Sequence, residues 1–516
     1  MRRNALAGQE VRLAPIAVAL PAAAARASDL VWPALVALAC AAAIAPLWSS
    51  ELLPFQDAPQ HLAAIRVLAD FHAPGAGFEK WFEIDLMRLQ YLGFYLPAAA
   101  LAKVLGPDVA CRVMLSLIAL ALPAAFWMLL GALGRDRRLA VFAPAVFHTL
   151  PLYLGFFNYL ESIPAAIAVV ALAERQLHDP TSRRAVAIGA GAAFLLWLHP
   201  SALAFAMSAT ALLALTSGRP LRRVRRVLAP WLPATALFGV WAVHAALARD
   251  GVGQAARTAP RWLPLRTRFL DLVHFGDVLP GRTDDLAVLA LFGLFAAATV
   301  LGIRRRRPRA WRVPLLAAVT LLAYFAAPFD LGYMSWIGQR AIPFFILLAI
   351  ASPLLAPGRV TSALCAAAVA VQIGYAVHLA AAWRAFDREA QATELDQVLA
   401  AAKPGKRLLG QIWEPGSAVV RFRPYMHFAA YYEVRRGGRA IFNFAETPWT
   451  PVRFRRGTEP RAEPQSWEWH PEWIDLSRAA AEEDYLLTRG SAPDPGGAFT
   501  LLAKAGSWSL YEAVRR

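Results

Sequence analysis

A chain of 516 residues that is 58% hydrophobic and only 17% charged is too apolar to be an ordinary water-soluble protein, so an integral membrane protein is implied. The net charge of +17 would suit nucleic acid, but most arginines cluster in short runs between apolar segments, as in loops facing anionic lipid. No nucleic-acid partner is expected. The three cysteines, Cys40, Cys111 and Cys365, all lie inside apolar segments and offer neither a metal site nor a disulfide framework.

The first 29 residues hold Arg2, Arg3 and Arg12 and a patch ending PAAAARA, with the outline of a secretory signal. Because Pro15 and Pro21 break the patch and a longer apolar segment follows at once, 1–29 reads as an uncleaved cytoplasmic tail. Runs near the ~20 residues needed to cross hydrocarbon predict eleven spans, at about 30–49, 109–133, 140–157, 163–177, 185–199, 200–216, 229–248, 286–303, 313–329, 341–356 and 360–381. Tyr91 to Leu105, interrupted by Pro97, is kept on the outer surface. That choice gathers Arg135, Arg137 and Arg138, the run Arg219 to Arg226, and the run Arg304 to Arg312 on the inner side. The N-terminus is then inside and the last 135 or so residues outside.

After the first span comes LLPFQDAPQHLAAIRVL, Leu52 to Leu68. Pro59 suits a first helical turn, and Leu62, Ile65, Leu68 and Phe71 give one apolar stripe against Gln60, Arg66 and Asp70, as in a helix lying on the membrane surface. Asp57 and His61, four residues apart, are expected to share a hydrogen bond. A carboxylate flanked by apolar residues can act as general base, and the competing role for Asp57 is an N-cap. His61 orients Asp57, binds phosphate or ligates a metal.

The same outer ends carry Asn158 and Glu161 in a turn between the third and fourth spans, His199, His274 and Asp277, Asp330, and Gln339 with Arg340. Each alone is more simply a solvated loop residue; their shared side is the informative feature. Arg340, with its planar fork of donors, suits a phosphate, or else snorkels. From Trp383 the composition becomes soluble: an amphipathic helix over 387–402, a helical YMHFAAYYEV, and strand-like RLLGQIW, AIFNF, YLLTRG, FTLLAKA and WSLYEA suggest a small α/β domain. Thr447 to Trp473, rich in Pro and Trp, reads as a surface loop that rests on the membrane domain or orders on binding substrate. Walker, Rossmann, HExxH, nucleophile-elbow and CxxC motifs are absent.

The expected fold is mainly α: a polytopic helical bundle over 30–382, with an outer loop at 50–108 carrying interfacial helices, and a C-terminal periplasmic α/β domain over 383–516. In this layout the chain resembles the GT-C superfamily of membrane glycosyltransferases, including protein O-mannosyltransferases and bacterial lipid A aminoarabinose transferases. The resemblance lies in an acid just after the first span (Asp57), a polar turn between the third and fourth spans (Asn158 to Ser162), and a basic residue shortly before a proline opening a late span (Arg340, Pro343). Many members place two adjacent acids where this chain has Asp57-Ala58-Pro59, which leaves the second acid and the need for a divalent metal ion open.

The resemblance implies a polyprenyl-phosphate-linked sugar donor and a lipid or glycan acceptor at the periplasmic face of a bacterial inner membrane. Catalysis is then expected from Asp57, His61 and Glu161, and substrate binding from Asn158, His199, His274, Gln339 and Arg340. The rivals are a transporter or flippase for a lipid-linked or small polar solute, which should show mid-span acids and paired repeats, and a non-catalytic scaffold.

Overall fold

The computed structural model describes residues 22–247, 258–303, 308–332, 334–356, 358–447, 449–460 and 467–515. Most of the expected tail and Arg304 to Arg307 of the expected inner run fall outside these residues. Six helices are long and apolar enough to cross a membrane, and four shorter apolar ones accompany them. The first helix begins at Ala22, and its continuous stretch long and apolar enough to cross runs Leu30–Trp48, as expected.

Two expected spans differ in a way that shapes the site. The run 140–157 is not one helix: a 3₁₀ run, Arg137–Val146, contains Pro144, and a short helix, Leu150–Leu154, follows an extended Thr149 and ends at Gly155. Proline removes a backbone donor and the left-handed glycine turns the chain, so neither segment continues. The following helix runs Phe157–His178, which places Asn158 and Glu161 in its first turns rather than in a loop.

The helix predicted after Asp57 runs Ala58–Ala69. It does not lie free with one polar face. Nearly all of it is buried, Gln60 and His61 included, between the helix Leu92–Leu105 and the C-terminal helix Tyr431–Arg436.

A 32-residue helix, Arg359–Ala390, spans about 48 Å at ~1.5 Å per residue and carries the chain out of the bundle. Beyond it the expected strands form one five-stranded sheet. Those strands are β4 (Arg407–Ile412), β5 (Arg439–Ile441), β7 (Tyr485–Arg489), β8 (Phe499–Ala505) and β9 (Trp508–Ala513). The order is β5-β4-β7-β9-β8, with β4 parallel to both β5 and β7 and the remaining pairs antiparallel. Four short strands pair in two ribbons: β1 (Phe82–Ile84) with β6 (Val452–Phe454), and β2 (Thr258–Arg261) with β3 (Asp330–Gly332).

The C-terminal part is bound to the first loop at several points. In the β1–β6 ribbon the Phe82 and Phe454 rings stack 5.3 Å apart. Gln60 donates to the Phe442 carbonyl (2.7 Å) and accepts from Phe444 N (3.1 Å). Asp387 accepts from the backbone of Glu51 (2.6 Å) and Leu52 (2.9 Å), and Arg88 donates to Thr447 O (2.7 Å). These contacts lay the segment 442–454 over the first loop.

Candidate active site

Under that segment lies a cavity of about 370 Å³, within the roughly 300–1,000 Å³ typical of ligand sites. Its wall from the bundle includes Gln56, Asp57, His61, Tyr91, Tyr95, Asn158, Tyr159, His199 and Arg340. Its wall from the C-terminal part includes Met426, His427, Phe442, Phe444, Trp449, Glu468 and Trp469.

Asp57 is fixed from both sides along the chain. Two residues earlier, fully buried Phe55 meets Tyr153, Phe157 and Trp383 edge-on at 5.3, 5.8 and 5.2 Å, and Gln56 N donates to Tyr153 O (2.9 Å). Gly155 closes the other side. Its φ is +90°, and a Cβ there would lie 2.6 Å from Asp57 Cβ, so only glycine permits this approach. Although Asp57 occupies the N-cap position, its side chain caps nothing. It turns instead to His427, with Oδ1 3.1 Å from Nδ1; the pair is at ion-pair distance but without hydrogen-bond alignment.

The expected Asp57–His61 hydrogen bond does not form. His61 Nε2 lies 2.6 Å from the Gly155 carbonyl, which can only accept, so that nitrogen carries the proton and Nδ1 accepts from the Tyr95 hydroxyl at 2.8 Å. The ring stacks on Phe157 at 4.5 Å. Burial pushes His61 down to about 4, against the upward pull of Asp57. His61 is thus a neutral strut that ties the Ala58 helix to the Gly155 turn.

At the other end of the bundle wall, Arg340 Nη1 donates to Ser335 O (3.0 Å), its guanidinium lies 5.1 Å from the Phe156 ring, and its Nε has no hydrogen-bond partner among the described residues. His199 packs between Tyr91 (5.7 Å) and Tyr159 (5.3 Å), and its Nδ1 accepts from Ser201 N, capping the next helix. The amide oxygen of Asn158 is buried without a hydrogen-bond partner among the described residues.

Of the residues expected at the site, Asp57, His61, Asn158, His199 and Arg340 meet in this cavity, and three do not. Glu161 points toward the Leu92 helix, where a Cβ on Gly93 would lie 3.6 Å from its Oε2. Gln339 donates to Asp271 at 2.8 Å. His274 joins Asp277 and Asp285, the one trio of potential metal ligands among the described residues, but outside the cavity and with Arg421 already 2.9 Å from Asp277. His427 escaped sequence reasoning, because it enters from the far end of the chain without a motif; Trp449, Glu468 and Trp469 lie in the Thr447 to Trp473 stretch expected to rest on the membrane domain or order on substrate, but were not named individually as site residues.

No family model matches the chain, and no curated protein matches it. Among solved structures, the chain is similar to ArnT from Cupriavidus metallidurans bound to undecaprenyl phosphate. The TM-score is 0.58 at 12% identity, covering 93% of this chain and 97% of that one. It is also similar to the arabinofuranosyltransferase AftD from Mycobacteria, with a TM-score of 0.48 and 16% identity over 93% of this chain, which spans 41% of the length of AftD. The chain therefore shares its overall fold with that ArnT structure.

Proposed function

We propose that the protein is a membrane glycosyltransferase that moves a sugar from a polyprenyl-phosphate carrier to an acceptor at the periplasmic face. The observation that carries this reading is the placement of Asp57 and Arg340 on one cavity at the end of the bundle. The solved ArnT structure, bound to undecaprenyl phosphate, supports the choice of donor.

In the proposed step an acceptor hydroxyl or amine attacks the anomeric carbon. The bond from that carbon to the phosphate oxygen breaks, and the carrier phosphate leaves with the electron pair. Asp57 takes the acceptor proton, with His427 Nδ1 3.1 Å from its Oδ1. Arg340, whose Nε is uncommitted, meets the departing phosphate with preorganised positive charge. Asn158 has a free acceptor oxygen for a sugar hydroxyl. A water-soluble cleft would not serve, since the leaving group stays attached to its lipid.

The test is to incubate membranes carrying the protein with radiolabelled polyprenyl-phosphate sugars and to follow release of the carrier phosphate. Turnover that is lost in Asp57→Asn supports the reading. No release from any donor, or turnover untouched by that substitution, refutes it. Uptake of a solute into proteoliposomes would favour the transporter instead.

A further inference from the structure

The two walls of the cavity differ in charge. Arg340 is the one lysine or arginine lining it among the described residues, and it belongs to the bundle; the wall from the C-terminal part is lined by the carboxylate of Glu468, with Arg423 stacked on Trp469 but not itself lining the cavity. Glu468 makes no hydrogen bond or ion pair with any described residue.

The segment presenting Glu468 is held firmly. Trp467 is buried against the sheet with Leu409 and Leu486, His470 N donates to Trp467 O (2.8 Å), and Gln411 donates to Pro471 O (2.9 Å). With the first tryptophan used as anchor, the next two residues are left for the cavity. Trp469 remains 41% exposed, with Arg423 over its ring at 4.3 Å, and Trp449 lines the same wall.

An apolar ligand would have no use for an unpaired carboxylate, and a phosphorylated one would be repelled by it. A ligand with flat C–H faces and many hydroxyls fits both features, because indoles cover the faces and a carboxylate accepts from two adjacent hydroxyls. We infer that this wall is the acceptor subsite, and that the acceptor is a neutral saccharide recognised by Glu468, Trp469 and Trp449. This inference builds on the proposed transfer reaction but concerns binding alone.

It is tested on the full-length protein in nanodiscs, without donor. Saturation-transfer NMR and intrinsic tryptophan fluorescence are read during titration with neutral pentose and hexose di- to tetrasaccharides, and with the same sugars bearing a phosphate monoester. At least one neutral saccharide should bind, and more tightly than its phosphorylated counterpart. Glu468→Gln should weaken it about tenfold or more, the scale of hydrogen bonds to a charged group. Trp469→Ala should do likewise, with partial recovery in Trp469→Phe; circular dichroism checks that each variant is folded.

Absence of binding by every neutral saccharide overturns the inference. So does stronger binding of the phosphorylated forms, or an affinity unmoved by Glu468→Gln. Saccharide binding without any sugar transfer would remove the transfer reading, and with it the acceptor role, and leave the saccharide site itself standing.

Discussion

Asp57 Oδ1 lies 3.1 Å from His427 Nδ1, so a carboxylate from the first loop and an imidazole from the C-terminal part form one pair. If the pair works as a unit, Asp57→Asn lowers the turnover number by about 10²- to 10⁴-fold, the usual contribution of a positioned base. His427→Gln gives a smaller loss. The double variant should be no worse than Asp57→Asn alone, as expected of groups acting together. Steady-state kinetics on the four proteins decides this, and independent, multiplying losses would break the pair apart.

Gly155→Ala should damage both stability and turnover. The residue needs φ +90°, and its new methyl carbon would meet Asp57 Cβ at 2.6 Å. Strain of this kind costs on the order of 1–3 kcal/mol. A lowered melting temperature together with lost activity is expected, whereas Gly239→Ala, with open space around its Cβ, should behave as the parent.

Arg340→Lys keeps the charge but loses the fork of donors, so it should not rescue function. A loss of about 10²- to 10³-fold in kcat is expected if Arg340 stabilises the departing phosphate. A rise in KM alone, with kcat preserved, would assign it to ground-state donor binding instead.

The His61 imidazole gives a pH signature. Its folded value of about 4 lies below the ordinary 6.5, so between these values the unfolded chain binds a proton that the folded chain refuses. Stability from this residue is complete above about pH 6.5 and declines as pH falls toward 4. The buried Glu433 acts oppositely: its carboxyl is raised to about 8 by burial, so its contribution is lost as pH rises from about 4.5 to 8. The clean measurement is therefore the difference in melting temperature between parent and His61→Gln across pH 4 to 7. That difference should shrink as pH falls.

Phe454→Ala should loosen the segment over the cavity. Its ring is buried and stacks on Phe82 within the β1–β6 ribbon, and removing such a ring costs about 3–5 kcal/mol. Limited proteolysis should cut within 442–460 faster than in the parent, while the bundle remains resistant.

Asp57 and Arg340 were legible in the sequence because each flanks an apolar run and so announces the end of a helix. His427 was not, since its importance comes from a partner in the first loop and no local pattern encodes that pairing. The Asp57–His61 spacing was read correctly as one helical turn, but the Gly155 carbonyl and Tyr95 hydroxyl take both imidazole nitrogens. Glu161 was placed in a turn because the helix Phe157–His178 begins earlier than hydropathy suggests. The five sheet strands had clear apolar patterns. By contrast β1 and β6, at three residues each, are too short for periodicity to register.

The helix Arg359–Ala390 is continuous, and Trp383 near its end is locked by Tyr153 and Phe55. A rod clamped in this manner is fixed against the first loop up to its last turns, so any swing of the C-terminal sheet has to take place beyond Ala390, where Gln391 at φ +53° ends the helix. Such a swing would also have to part the three-residue ribbon and the two Gln60 hydrogen bonds, so the sheet and the first loop are held together at both ends.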